Sequence, residues 1–192
     1  MKVLIACEYS GTVRDAFTRL GHDALSVDYL PSETEGNHII GDVLDVIKSQ
    51  SFDLMIAFPP CTHLAVSGAR WFKDKVEEQK EALDFVRVLL DAPIPMIALE
   101  NPVSVISTQI RKPDQIVQPY WFGDEATKTT CLWLKNLSPL EPTDMVGKGE
   151  RHITKSGRSL PKWYNLPPSS DRAKIRSATF PGFAKAMAGQ WG

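Results

Sequence analysis

Cysteine is scarce in this chain, with only Cys7, Cys61 and Cys131 among 192 residues. The three are widely spaced and form no CxxC pair. That argues against a disulfide scaffold and a zinc knuckle, leaves no evident metal site, and fits a reducing cytoplasm. Long apolar runs are also missing. None approaches the roughly 20 residues a membrane helix needs. The opening stretch Met1–Cys7 is apolar, but Glu8 ends it, so it reads as a first strand rather than a signal peptide. Internal repeats and low-complexity tails are absent, which argues against a solenoid or a disordered arm. What remains is a globular composition, 43% hydrophobic and 23% charged. It suits one domain over residues 1–192, built around a real core.

The net charge of −1 conceals an asymmetry. Between Val146 and Arg176 stand Lys148, Arg151, Lys155, Arg158, Lys162, Arg172, Lys174 and Arg176, opposed only by Glu150 and Asp171. A basic segment of this kind suggests phosphate or nucleic acid as partner, or else a solvated loop.

The first half alternates short apolar runs with amphipathic stretches. Val3–Cys7, Ala24–Asp28, Phe52–Phe58 and Pro95–Glu100 read as buried strands. Ser10–Leu20 reads as a helix with Ser10 as its N-cap and Gly21 just beyond its end. Phe72–Asp91 keeps three- and four-residue apolar steps and reads as one long helix. Pro59-Pro60 stops one strand, and Asn101-Pro102 is expected to stop another. Cys131–Leu134 reads as a further strand, residues 136–175 as a short irregular basic insertion, and Phe183–Ala188 as helix. This rhythm predicts a doubly wound α/β fold, a mostly parallel sheet with helices on both faces. Ligands in such sheets bind beyond the carboxyl ends of the strands. Cys7–Gly11, Asp28, Asp42, Cys61 and Glu100 all fall there.

Two of these carry chemistry. A thiol is the most nucleophilic ordinary side chain and suits covalent catalysis. Unperturbed, it is only a few per cent thiolate near pH 7, so its site must activate it. Two prolines before Cys61 fix the chain's turn off the strand. Glu100 ends an apolar strand, where a carboxyl group with a raised pKa can supply a proton. The alternative readings are a buried structural cysteine and a turn-capping carboxylate. His63 stands two residues past Cys61 and reads as a turn cap, or else as a group facing the thiolate or a phosphate, and Trp71, Tyr120 and Trp121 read as core before stacking platforms for a base.

In this order the motifs resemble the DNA cytosine-C5 methyltransferase family, and more closely its short phage and prophage relatives. The resemblance runs over roughly residues 3–135 and 176–191. Phe58-Pro59-Pro60-Cys61 is similar to the family's Pro-Cys nucleophile motif and Leu99-Glu100-Asn101 to its Glu-Asn motif. The resemblance implies a Rossmann-like S-adenosylmethionine-dependent methyltransferase fold. Cys61 would be the nucleophile toward carbon 6 of cytosine, and Glu100 the group at nitrogen 3. Tyr9, Ser10, Gly11, Asp28, Asp42, Val43 and Pro59 would hold S-adenosylmethionine. Pro60, Asn101, Lys128 and Thr130 would face the substrate. It implies DNA as partner, no membrane, and a cytoplasmic place in a bacterial cell, with the gene carried by the host or a phage. Thr179–Ala186 resembles the segment that packs back beside the cofactor loop.

The departures from the family are specific. A single Gly11 stands where further glycines are usual, and Pro102 where Val follows Glu-Asn. Ala126, Lys128 and Thr130 replace the Gln, Arg and Arg of another motif. Residues 136–175 are short for a target-recognition domain. That brevity keeps two other readings open, C5 methylation of a free cytosine nucleotide and an inactive nucleic-acid-binding or decoy protein. Amino-group methylation is disfavoured, because Cys61 stands where such enzymes carry an aromatic residue and Phe58 where they carry a polar one.

Overall fold

The structure, a computed structural model, describes residues 1–161, 169 and 172–192. Lys162 and Asp171 of the basic segment lie outside the described residues. Among those described, the chain forms one seven-stranded sheet from β1 (Lys2–Ala6), β2 (Asp23–Asp28), β3 (His38–Ile40), β4 (Leu54–Ala57), β5 (Met96–Pro102), β6 (Gln115–Val117) and β7 (Thr130–Lys135). Their order is β3-β2-β1-β4-β5-β7-β6, and β7 runs antiparallel to both its neighbours. This is a doubly wound, mostly parallel sheet of the Rossmann-like type.

Helices cover both faces, so the inner strands are apolar on both sides and read as continuous runs. Leu4, Ala6, Met55, Ala57 and Leu99 pack under α2 (Val43–Ser49), α3 (Val76–Leu90) and the short α4 (Ile106–Gln109). Val3, Ile5, Leu54, Ile56 and Ala98 pack under α1 (Thr12–Arg19) and the C-terminal α6 (Pro181–Trp191). The register sets the working edge. Ala6 pairs with Val27 and with Ala57, and Ala57 pairs with Leu99. One residue on, Cys7, Asp28, Phe58 and Glu100 therefore stand in one rank, at the carboxyl ends of β1, β2 and β4 and two residues before the end of β5.

Several local expectations need correction. Ser10 does not cap α1. Gly11 occupies that position with φ of 75°, and the helix is capped from further away by Glu8, whose carboxylate accepts the N–H groups of Val13 (2.8 Å) and Arg14 (3.5 Å). The serine hydroxyl donates to Glu8 at 2.8 Å and, of the helix N–H groups, accepts only that of Thr12, at 3.2 Å. The helix predicted over Phe72–Asp91 is interrupted at Lys75. A 3₁₀ segment, Val66–Asp74, precedes α3, and Val76 is 61% exposed rather than part of the buried stripe. Asn101-Pro102 does not halt β5, which runs on to pair Pro102 with Thr130 of the antiparallel β7. The basic insertion is not wholly irregular, since β8 (Arg151–Ile153) and β9 (Ser159–Pro161) form a hairpin. A further helix, α5 (Arg172–Ser177), precedes α6.

Candidate active site

The chain leaves β4 through Phe58, whose N–H is held by the Ala6 carbonyl at 2.9 Å. Pro59 is buried, while Pro60 and Cys61 are at the surface. Neither proline has an N–H to offer the sheet, so the strand ends there. The Cys61 carbonyl then accepts from Leu64 (3.0 Å) and Ala65 (2.9 Å), closing a turn. The turn is tied to the neighbouring strand by Asn101, only 1% exposed, whose side-chain Nδ2 donates to the Pro59 carbonyl at 3.0 Å. The Asn101 Oδ1 has no partner among the described residues. Asn101 thus braces the Pro59-Pro60-Cys61 turn from the neighbouring strand.

Cys61 and Glu100 are brought into electrostatic contact. Desolvation pushes the Cys61 thiol pKa up, the Glu100 charge pushes it further, and Lys128 and Arg176 pull it down. Burial likewise raises Glu100, with Lys128 and the Thr130 hydroxyl opposing the shift. Thr130 is buried and also hydrogen-bonds the Lys128 carbonyl at 3.1 Å. The Lys128 ammonium reaches the Ala178 carbonyl (3.4 Å) and lies 5.9 Å from the centre of the Phe180 ring. The Glu100 charge thus opposes ionisation of the thiol, and the two cations oppose that effect. Arg176 escaped the sequence reading. It sat among eight cations with no spacing to single it out, and only α5 brings it toward Cys61. His63 contributes its carbonyl, which accepts from Gln79 at 3.0 Å.

A second group of residues lies at the ends of β1 to β3. Cys7 is in the left-handed region with φ of 59°, and its thiol is pushed up to about 12 by burial and by the charges of Asp28 and Asp42. Asp28 accepts from the Leu30 N–H at 2.9 Å. Asp42 caps α2 through the Leu44 N–H at 2.8 Å and receives the Tyr29 hydroxyl. Val43, the first residue of α2, is buried. Tyr29 was not foreseen, because a tyrosine in a polar loop carries no sequence signal. The Tyr9-Ser10-Gly11 turn is closed from above by the connection between β2 and β3. Glu33 N–H reaches the Tyr9 carbonyl (2.9 Å), and the fully buried Arg14 binds Ser26, Ser32 and the Glu35 carbonyl at 3.2, 3.0 and 3.1 Å. Asp124 accepts the first N–H groups of α6, Gly182 at 2.9 Å and Phe183 at 3.2 Å, and α6 packs beside α1. Among the described residues no cluster of three or more His, Cys, Asp or Glu could hold a metal, and no helix is long and apolar enough to cross a membrane.

No protein-family model matches the chain, and no curated protein matches it. Solved structures do. One is described as a DNA modification methyltransferase encoded within a prophage of E. coli, at 14% identity and a TM-score of 0.49, covering 77% of this chain and 52% of the other. Another is a triple mutant of DNMT2 from Spodoptera frugiperda, at 15% identity and a TM-score of 0.47, covering 77% of this chain and 57% of the other. The chain spans little more than half the length of these two structures.

Proposed function

We propose that this protein transfers a methyl group from S-adenosylmethionine to carbon 5 of cytosine in DNA, through a covalent bond to Cys61. The observation that carries the reading is the electrostatic coupling of Cys61, in the turn leaving β4, to Glu100 in the neighbouring parallel strand β5, with the turn braced by Asn101 and the Lys128 charge acting on both groups.

The residues at the ends of β1 to β3 suit the cofactor by their chemistry. Asp28 and Asp42 each commit carboxylate to a local N–H and remain acceptors for hydroxyl and amino groups. Asp28 would hold ribose hydroxyls, Asp42 and Val43 the adenine, and Tyr9, Ser10, Gly11 and Pro59 the remainder. Bound there, S-adenosylmethionine supplies an electrophilic methyl group.

Carbon 5 of cytosine is too weak a nucleophile to accept that group unaided. The Cys61 thiolate adds to carbon 6, forming the Sγ–C6 bond. The displaced π electrons move toward nitrogen 3, which takes the proton from Glu100, and carbon 5 becomes enamine-like. Once carbon 5 carries the methyl group, a base removes its proton and the electron pair re-forms the C5–C6 double bond. The thiolate leaves, and the proton on nitrogen 3 returns to the Glu100 carboxylate. Lys128 and Arg176 stabilise the thiolate before attack. Pro60 and Thr130 border the base, and Asn101 acts indirectly through Pro59.

Trapping tests this reading. With fluorine at carbon 5 the final proton loss cannot occur. A duplex containing 5-fluorocytosine, incubated with S-adenosylmethionine, should give a denaturation-resistant complex with the native protein and none with Cys61→Ala. Absence of the complex for the native protein under turnover conditions would overturn the proposal. A complex formed with the free nucleotide alone would overturn the DNA part of it.

A further inference from the structure

The segment entering β7 presents alternate residues to opposite sides, as extended backbone does. Lys128 and Thr130 line the recess at Glu100. Thr127 and Thr129 line a different cavity, a groove of about 540 Å³ that they share with Gln118, Tyr120, Lys148 and Arg151. The two spaces therefore lie on either side of one stretch of chain.

The groove is polar and cationic. Its lining residues include two cations and no carboxylate. Its cations are held in place. Arg151 donates Nε to the Ser159 hydroxyl (2.6 Å), one terminal nitrogen to the Ser159 carbonyl (2.9 Å) and the other to the Thr127 hydroxyl (3.4 Å). That engages three of the five N–H donors of a guanidinium and leaves the others for a ligand. Lys148 sits 5.5 Å from the centre of the Tyr120 ring. Its loop is docked by the Val146 N–H on the Tyr120 carbonyl at 3.0 Å. The next residue, Gly149, has φ of 73°, and a Cβ there would collide with the Glu125 carbonyl. The loop can approach this closely only with glycine at that position. Gln118 donates to Thr129 at 2.9 Å and keeps a buried Oε1 without a partner among the described residues. With Lys148 over the ring, the groove offers charge and hydroxyls rather than an aromatic face for stacking.

We propose that this groove is a binding site for the phosphodiester backbone of a nucleic acid strand, on the nucleotides flanking the one at Cys61. The inference rests on the proposed function for the identity of that central nucleotide. A mononucleotide at Glu100 lies on the far side of the 127–130 segment and leaves the groove empty. A polynucleotide fills both by crossing the rim. The hairpin that replaces a large recognition lobe then grips backbone, and backbone contacts position a strand without reading its sequence.

The test is equilibrium binding of a fluorescent cytosine-containing oligonucleotide, as DNA and as RNA of the same sequence, across a salt series without cofactor. Two phosphate contacts contribute about 1.5 to the slope of log affinity against log salt. The variants are Lys148→Glu/Arg151→Gln, Lys148→Glu alone to spare the hairpin, and Lys48→Glu on the distant α2 as charge control. The double variant should bind at least about tenfold more weakly with the slope reduced by about that amount, and Lys148→Glu should show a smaller loss of the same kind. Lys48→Glu should bind as the native protein does, and binding of cytidine monophosphate should be unchanged in all. Loss confined to DNA or to RNA identifies the strand. An unchanged slope in both groove variants, an equal loss for the mononucleotide, or equal displacement by polyglutamate would overturn the proposal. This measurement needs no methyl transfer. A groove that binds and a 5-fluorocytosine trap that fails would therefore refute the reaction and leave the groove standing.

Discussion

Asn101 offers a sharp test of how Cys61, the proposed nucleophile, is held. Its Nδ2 donates to the Pro59 carbonyl in a buried setting, and its Oδ1 has no partner among the described residues. Three substitutions separate these features. Asn101→Ala removes the donor and strands the Pro59 carbonyl, at about 1–3 kcal/mol. Asn101→Leu strands the same carbonyl but also removes the unpartnered oxygen and keeps most of the volume. Those terms are similar in size and opposite in sign, so its stability should lie within about 1 kcal/mol of the native protein. Asn101→Asp keeps the shape but sets an unpaired carboxylate against a carbonyl, at about 3–5 kcal/mol. Desolvation raises that carboxyl's pKa in the folded state, so its penalty holds at neutral pH and eases as pH falls and it protonates. All three variants release the Pro59-Pro60-Cys61 turn. A misplacement of about 1 Å costs on the order of 100-fold in rate. Urea unfolding between pH 5 and 8 gives the stabilities, and single-turnover methyl transfer gives the rates. A leucine variant of near-native stability that is about 100-fold slower would mark Asn101 as a positioning residue. A leucine variant with native rate, or an alanine variant costing less than about 0.5 kcal/mol, would refute the bracing role.

Three more outcomes are expected. Glu100 has a folded-state pKa above its unfolded value, so the stability it contributes is complete below about pH 4.3 and is lost as pH rises through the folded value. Glu100→Gln should therefore become more stable relative to the native protein as pH rises across that window, seen in thermal melts, while methyl transfer falls by about 10²–10⁴. Arg14→Met should lose about 3 kcal/mol in urea unfolding and expose the Tyr29–Asn37 connection to limited proteolysis, because a fully buried cation and its partners are separated. Asp124→Ala removes the acceptor for the first N–H groups of α6 and should cost about 0.5–2 kcal/mol by the same unfolding assay.

Much of the fold was legible along the chain because parallel strands buried on both faces must be continuously apolar. Val3–Ala6, Leu54–Ala57 and Ile97–Leu99 announce themselves that way, and the first two end at polar or proline-containing turns. The edge strand β6 was not legible, since three residues with one buried leave no pattern. Nor was the continuation of β5 through Asn101-Pro102. Proline's missing N–H is tolerated there because Pro102 is the last residue of the strand. The cap of α1 was misread for a related reason. Glu8 reaches Val13 and Arg14 across a left-handed Gly11, and the dihedral of one glycine decides which side chain arrives.

By itself, then, the sequence determined which residues could do chemistry and at which end of the sheet they would lie. Strand termini are local features: Asp28 ends β2, Asp42 and Cys61 follow the ends of β3 and β4, and Glu100 lies two residues before the end of β5. Only the tertiary structure decided how they act on one another. It set the register that aligns Phe58 with Glu100, turned Lys128 toward the carboxyl group and Thr127 away from it, and brought Arg176 within electrostatic reach of the thiol. Those relations are distances between segments far apart in the chain, and charges interact through space rather than along the backbone.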